Sequence, residues 1–345
     1  MSRRVRRIAF CAAVAASVGV VTPAFAASSG TVTTTLGQTM SAAITSPADQ
    51  QHFTVGSSVT VNGTVSLTGG PVTPTNVAYV VDISGSTAAP CKPLEPSDTR
   101  TVLNCEQQGA VALNGSLSAT PSLQAGVISF DDLGYTNQPF VAPSSPLINT
   151  AINGLVPGGG TNYDAALTNV NTLYAPVPGA NRKVVFFLSD GNPTTFTTGP
   201  GSPLALAATA GIVINTYSIG DGSLRCPEPG SALKVISDTT GGQCNDVTDP
   251  STLAANLANA RVEVKMSGRA AIPAQVSGNN FTATFSSANG NTVALGNNPI
   301  VATAVAPDGT RLNVDITVIG DPLPTTTTTT STTVRVVQVT PRFTG

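Results

Sequence analysis

Asp82-Ile83-Ser84-Gly85-Ser86 places one carboxylate and two hydroxyls at alternate positions. Two further stretches carry side chains of the same kind, Gly158-Gly159-Gly160-Thr161-Asn162-Tyr163-Asp164 and Ser189-Asp190-Gly191. Oxygen donors without sulfur or imidazole suit a hard cation, Mg2+ first, with Mn2+ or Ca2+ as alternatives. A cation held by neutral hydroxyls, with its carboxylates partly behind water, stays electron-poor and keeps a position for a carboxylate from outside. Such a set binds. It holds no general base beside a nucleophile, so no enzymatic activity is expected. His52 is the one histidine. It falls in a β-type segment far along the chain from Asp82, where it is expected to be structural rather than part of a Ser-His-Asp arrangement.

These stretches can meet only if the elements before them end at one edge. Residues 77–81 (VAYVV) and 183–188 (KVVFFL) are apolar runs of the kind that form strands buried on both faces. The first ends in Asp82 and the second in Ser189-Asp190-Gly191. The glycine loop before Thr161 opens a helix. In an open parallel sheet, ligand sites form beyond the strand C-termini where the strand order reverses. If the two strands are neighbours there, Asp82, Ser84, Ser86, Thr161 and Asp190 face one crevice. Asp131-Asp132 and Asp221 follow apolar runs in the same way; a place on the rim of the site is one reading, and solvated loop carboxylates are the one expected. Asp164, near a helix start, suits the positive end of the dipole and is given no metal role.

Together these residues resemble the metal-ion-dependent adhesion site of von Willebrand factor type A domains. Asp82, Ser84 and Ser86 match its D-x-S-x-S element, Thr161 its threonine and Asp190 its second aspartate. Residues 244–247 and 249–257 are similar to the family's last strand and final helix, so the resemblance spans roughly residues 75–262. It implies that Ser84 and Ser86 bind the metal directly, Thr161 when a ligand is engaged, and Asp82 and Asp190 mainly through water or hydrogen bonds. The departure lies at residues 88–105. Pro90, Pro93 and Pro96 with two cysteines form an inserted loop there, and helix is expected only from about Glu106. The insert either shapes partner choice or is a stapled surface loop.

Composition sets the compartment. Charged residues make up 10% of the 345-residue chain, far below the usual quarter. No basic stripe is present to neutralise phosphates, which argues against a nucleic-acid partner. Arg3, Arg4, Arg6 and Arg7 precede an apolar run at 8–21, and Ala24-Phe25-Ala26 supplies a small-x-small cleavage pattern. That reads as a signal peptide over residues 1–26 of a secreted or cell-surface protein. Without those arginines, 12 basic residues face 18 acidic ones. No second run is long enough for a membrane span. Cys11 leaves with the signal, and four cysteines remain. Three pairings are possible, of which the local one, Cys91–Cys105 with Cys226–Cys244, is expected because each bond closes a short loop.

The flanks read as strands. In residues 44–65, Val59, Val61 and Val65 alternate with polar residues. After Arg261 the pattern returns through Val262, Val264, Met266, Phe281, Ala283 and Phe285 to a last strand at 312–319, with turn signals at Asn289-Gly290 and Asp308-Gly309. The ITSPADQQHFTVGSSVTVNGTV stretch together with the FTATFSSANGNTVALGNNPIVATAVAPDGTRL stretch resembles the immunoglobulin-like modules of bacterial secreted proteins. The expectation is an α/β domain over residues 72–261, a doubly wound and mostly parallel sheet with helices on both faces. It is inserted in an all-β immunoglobulin-like sandwich made of residues 44–68 and 262–320; two separate β segments packing on the α/β domain are the alternative. A Pro/Thr-rich C-terminal tail, residues 321–345, follows. The function expected is extracellular, cation-dependent adhesion or ligand binding through an acidic group of a protein or other partner. The alternative is a structural or assembly component of the cell envelope whose metal only stabilises.

Overall fold

The computed structural model describes residues 28–69, 73–92, 95, 97–220, 226 and 228–323. The stretch expected to be a signal peptide (1–26), the tail from residue 324, Asp221, and Pro93 and Pro96 of the inserted loop lie outside the described residues. The first strands are β1 (Ser29–Thr33), β2 (Thr39–Ser46), β3 (His52–Thr54) and β4 (Val59–Thr68). Next come β5 (Thr75–Asp82), α1 (Val102–Leu117), β6 (Leu123–Phe130), β7 (Gly134–Val141), α2 (Pro146–Asn153), α3 (Tyr163–Tyr174), β8 (Arg182–Ser189), α4 (Pro203–Thr209), β9 (Ile212–Ile219), α5 (Ala232–Thr240), β10 (Cys244–Val247) and α6 (Leu253–Ala258). The chain closes with β11 (Arg261–Met266), β12 (Ile272–Pro273), β13 (Gln275–Ser277), β14 (Asn280–Phe285), β15 (Gly296–Val305) and β16 (Arg311–Asp321).

The middle part is a six-stranded sheet in the order β10-β9-β8-β5-β6-β7. All its pairings are parallel except β6 with β7. Side chains alternate across a strand, so each central strand must be apolar on both faces to be covered by helices on both. Val77, Tyr79 and Val81 join Val184, Phe186 and Leu188 on one face, beneath α1, α2 and α6. Ala78, Val80, Val185 and Phe187 form the other face beneath α3, α4 and α5. The doubly wound class is therefore as expected, with β7 as an antiparallel edge.

The two flanks interleave. One five-stranded sheet runs β1-β2-β4-β14-β13 and the other β12-β11-β15-β16-β3. Strand β4, from before the α/β part, pairs antiparallel with β14, from after it, placing Val61 opposite Ala283. Met40, Ile44, Val59 and Val61 share one apolar cluster with Val264, Phe281, Ile300 and Val314, so the two sheets bury their inner faces against each other. The segment before the α/β part begins earlier than the expected residue 44. Residues 29–43 form β1 and most of β2, built largely of Thr, Ser and Ala, in which Met40, Ala42 and Ile44 supply the buried face. The last strand likewise runs on to Asp321, one residue into the expected tail.

The loop between β1 and β2 carries Leu36 into the α/β core, where it packs with the cluster of Val77 and Tyr79. Arg182 Nη1 donates to Thr35 O at 2.7 Å, and Asn215 Nδ2 to Thr35 Oγ1 at 3.0 Å. From the other side of the sandwich, Tyr217 donates its hydroxyl proton to Pro307 O. Asp308 is fully buried and accepts from Thr35 N and Oγ1 at 2.5 and 2.7 Å. Gly309 follows with φ +84°, and a Cβ there would stand 2.1 Å from Asn245 Nδ2. The Asp308-Gly309 turn, legible as a hairpin signal, is thus also where the sandwich locks onto β9 and β10.

Both local disulfides are present, Cys91–Cys105 and Cys226–Cys244. Helix α1 starts at Val102, four residues before the expected Glu106. Thr101 caps it: its side chain accepts from Asn104 N while Asn104 Oδ1 accepts from Thr101 N. His52 is exposed on β3, with Nδ1 2.9 Å from Asp321, in keeping with a structural role.

Candidate functional site

From β5 the chain winds outward through β6 and β7 on one side, and later through β8, β9 and β10 on the other. The strand order therefore reverses between β5 and β8, and the crevice at their C-terminal ends is the natural site. Asp82 ends β5 and Ser189 ends β8, with Val81 paired to Leu188 one residue earlier. Beyond β5, a 3-10 turn at Gly85–Ala88 presents Ser84 and Ser86, held by Thr87 Oγ1 donating to Ser84 O at 2.8 Å.

The five expected residues come together. Asp82 is fully buried; its Oδ1 accepts from Ser84 N at 2.8 Å and its Oδ2 from Ser189 Oγ at 2.5 Å. Ser84 Oγ and Ser86 Oγ lie 3.1 Å apart, and Ser86 Oγ donates to Asp190 Oδ1 at 2.8 Å. Thr161 reaches the same place from the glycine loop. Ser86 Oγ and Thr161 Oγ1 stand 3.6 and 3.8 Å from the point a Gly191 Cβ would occupy. A Cβ at residue 191 would thus touch both hydroxyls, which places them beside one another at the crevice.

The loop that delivers Thr161 is clamped on several sides. Gly158 N donates to Ile83 O and Gly85 N to Gly159 O, at 2.6 and 3.0 Å. Thr194 N and Oγ1 both donate to Thr161 O, at 2.7 and 2.8 Å. Asn162 caps α3 by accepting from Ala165 N. Asp131 and Asp132 do stand by the rim, packed on this loop: Cβ atoms at Gly159 and Gly160 would come within 2.9 Å of Asp131 and 2.5 Å of Asp132. Asp164 instead accepts from Thr197 N and Oγ1, both at 2.9 Å.

Three positioning residues were not assigned from the sequence. Ser189 holds Asp82, and the Tyr163 hydroxyl backs Ser189 Oγ at 2.9 Å and Gly191 O at 2.8 Å. Thr194 anchors the carbonyl of Thr161. Ser189 had a usable signal: it is the last residue of an apolar strand, directly before Asp190. Tyr163 and Thr194 act through contacts that only the fold creates.

Burial pushes the Asp82 carboxyl up to about 6, with the charge of Asp190 adding to the rise and the bonds from Ser189 and Ser84 opposing it. Burial likewise raises Asp190, opposed by Ser86. The cation-free fold thus holds the Asp82 proton more tightly than the unfolded chain does. Its contribution to stability falls as pH rises from about 3.8 to about 6, and the loss is complete above that. A cation bound here would compete with this proton below about pH 6. If the site takes Mg2+, its affinity is expected to drop about tenfold between pH 7.5 and pH 5, as a proton on a group of pKa near 6 competes; calorimetric titration at both values checks it.

The donor set, two carboxylates and three hydroxyls with no sulfur or imidazole, fits a hard divalent ion. No family model matches the chain, and no curated protein matches it. Among solved structures it is similar to a von Willebrand factor type A protein from Catenulispora acidiphila, at 14% identity and a TM-score of 0.42, covering 82% of this chain and 74% of that one. It is also similar to the pilus adhesin SpaC from Lactobacillus rhamnosus GG (12% identity, TM-score 0.41, 80% and 47% covered). The PilB minor pilin from Streptococcus sanguinis gives 13% identity, a TM-score of 0.43 and coverage of 66% and 75%.

Proposed function

We propose that this chain is an extracellular, non-enzymatic binding protein. Its α/β domain holds Mg2+, or Mn2+ or Ca2+, through Asp82, Ser84, Ser86, Thr161 and Asp190, and offers the ion's remaining position to an acidic group of a partner. The observation that carries this reading is the meeting of oxygen side chains from three separated stretches at the switch point of the sheet. The interleaved two-sheet flank is read as an immunoglobulin-like module, and the leading residues as an export signal. Among the described residues no helix is long and apolar enough to cross a membrane.

The ion's affinity for an outside acid follows from its ligands. Hydroxyls donate little charge, so the ion keeps most of its own and gains from a further carboxylate. An array of peptides with and without Asp or Glu, probed with the whole chain, tests this. Acidic peptides should bind in Mg2+ and be lost in EDTA, and Thr161→Ala should weaken them at least tenfold, about 1.4 kcal/mol. Binding that is equal in EDTA, or equal for peptides without an acid, rejects the reading. A second reading has one observation in its favour, the rigid clasp of Leu36, Arg182 and Tyr217 across the two parts: the chain is a stiff spacer and the ion only ties its loops. A melting temperature that rises with Mg2+, with no acidic ligand on the array, supports it.

A further inference from the structure

Helix α1 packs on the sheet through a stripe at three- and four-residue spacing: Val102, Leu103, Glu106, Gln107, Ala110, Leu113, Asn114 and Leu117 are all buried. Most of these are apolar. Gln107 is satisfied by donating to Ile152 O and Leu155 O, and Asn114 by the Tyr79 hydroxyl and by Pro143 O. Glu106 is different. It is fully buried, and neither carboxyl oxygen has a hydrogen-bond partner. Leaving a carboxyl in that condition costs stability, and the fold itself returns nothing for it.

Its place is set by register. Asn114 receives the Tyr79 hydroxyl at 3.2 Å, which fixes the level of α1 against β5. The helix returns antiparallel to β5, because β6, which it feeds, runs parallel to β5. Counting back eight residues from Asn114 moves about 12 Å along the helix. Counting forward from Tyr79 to Asp82 moves about 10 Å along the strand. Glu106 therefore stands level with Asp82, on the side of the strand end that α1 covers. Burial, then the charges of Asp82 and Asp190, push its carboxyl well above the ordinary range, and Tyr163 in turn feels Glu106. The first turn of α1, which leads into Glu106, is held there by its neighbours: Cys105 is bonded to Cys91, and Val102 N donates to Ala89 O, just past the turn that carries Ser86.

We infer that Glu106 is a third carboxylate of the cation site, a positioning residue set behind Asp82 and Asp190 that engages the ion through water rather than as a direct ligand. This inference rests on the cation-binding reading above and extends it to a residue of helix α1. Acting through water, Glu106 adds holding charge while leaving the hydroxyl ligands, and the outward position, as they are.

Titration calorimetry with Mg2+ and with Mn2+ on the whole chain, paired with melting curves in EDTA, tests it. Glu106→Gln keeps the shape and removes the charge; it is expected to weaken both cations at least tenfold, as loss of an outer-shell partner does, while the melting temperature in EDTA stays level or rises. A group that merely fills space would leave affinity alone, so binding within twofold of wild type overturns the inference. Should Glu106→Gln not give a folded chain, Glu106→Leu decides on the same thresholds. Asp82→Asn serves as the reference. If it too binds like wild type, the cation reading itself has failed; if it loses binding while Glu106→Gln does not, only the role of Glu106 has.

Discussion

Asp82→Asn will lower the affinity for Mg2+ about 100-fold, the upper end for an outer-shell carboxylate, and will make the cation-free protein more stable at pH 7.5. The two effects share one cause. Asp82 is fully buried, with a proton affinity raised from the ordinary 3.8 to about 6. At pH 7.5 the folded chain must keep this carboxylate charged without a cation. The difference of about two pH units corresponds to a penalty on the order of 3 kcal/mol. An asparagine keeps the acceptor for Ser84 N and removes the charge. The melting temperature in EDTA should rise by roughly 5 °C or more for a chain of this size, and the advantage should shrink as pH falls below about 6 and vanish at about pH 3, below the ordinary 3.8, where Asp82 is protonated in both states. Calorimetry and melting curves on one pair of proteins read both signs. Unchanged affinity, or a lower melting temperature in EDTA at neutral pH, contradicts the assignment.

Removing residues 28–69 will unfold the sandwich while the α/β domain keeps its sheet. Strands β2 and β4 supply Met40, Ala42, Ile44, Val59, Val61 and Val65 to the shared cluster. Each large side chain contributes about 1.5–3 kcal/mol on burial, so the loss reaches about 10 kcal/mol, the whole stability of an ordinary domain. Phe281 and Phe285, on β14, would lose the strand they pair with. The α/β domain loses Leu36, the bonds of Arg182 to Thr34 and Thr35 and of Asn215 to Thr35, and, with the later strands unfolded, the Tyr217 bond to Pro307, while its own two helix-covered clusters stay whole. Amide exchange followed by residue should show fast exchange throughout β11–β16 and protected strands β5, β6, β8 and β9. Protection surviving in β14–β16 would mean that the later strands fold without the earlier ones, as two separate β segments would.

What could be read from the residues follows the strength of each physical signal. VAYVV and the VVFFL that follows Lys183 are apolar at every position, and such runs have few homes besides the centre of a covered sheet; from there the crevice at Asp82 and Asp190 follows. Val59, Val61 and Val65 mark β4 by a different signal, their alternation with polar residues, which fits a strand with one face buried. Strands β1 and β2 stayed below notice because Thr, Ser and Ala dominate them, and their few apolar residues alternate too sparsely to stand out. The start of α1 was misplaced because prolines and a cysteine precede it, whereas the Thr101–Asn104 capping pair that begins it is polar and local. Glu106 by itself marks only a helix: a glutamate near a helix start reads as solvated until the fold turns that face inward. Ser189 and Tyr163 follow the same logic, since each gains its role from a neighbour brought in by the sheet.

The most direct measurement is an anomalous difference map from a crystal of the whole protein soaked in Mn2+. A single strong peak among Ser84 Oγ, Ser86 Oγ and Thr161 Oγ1, with Asp82 and Asp190 reached directly or through water and one position facing outward to solvent or to a neighbour's carboxylate, is the predicted result. A map without a peak in that crevice, or with the ion held elsewhere on the chain, contradicts the account.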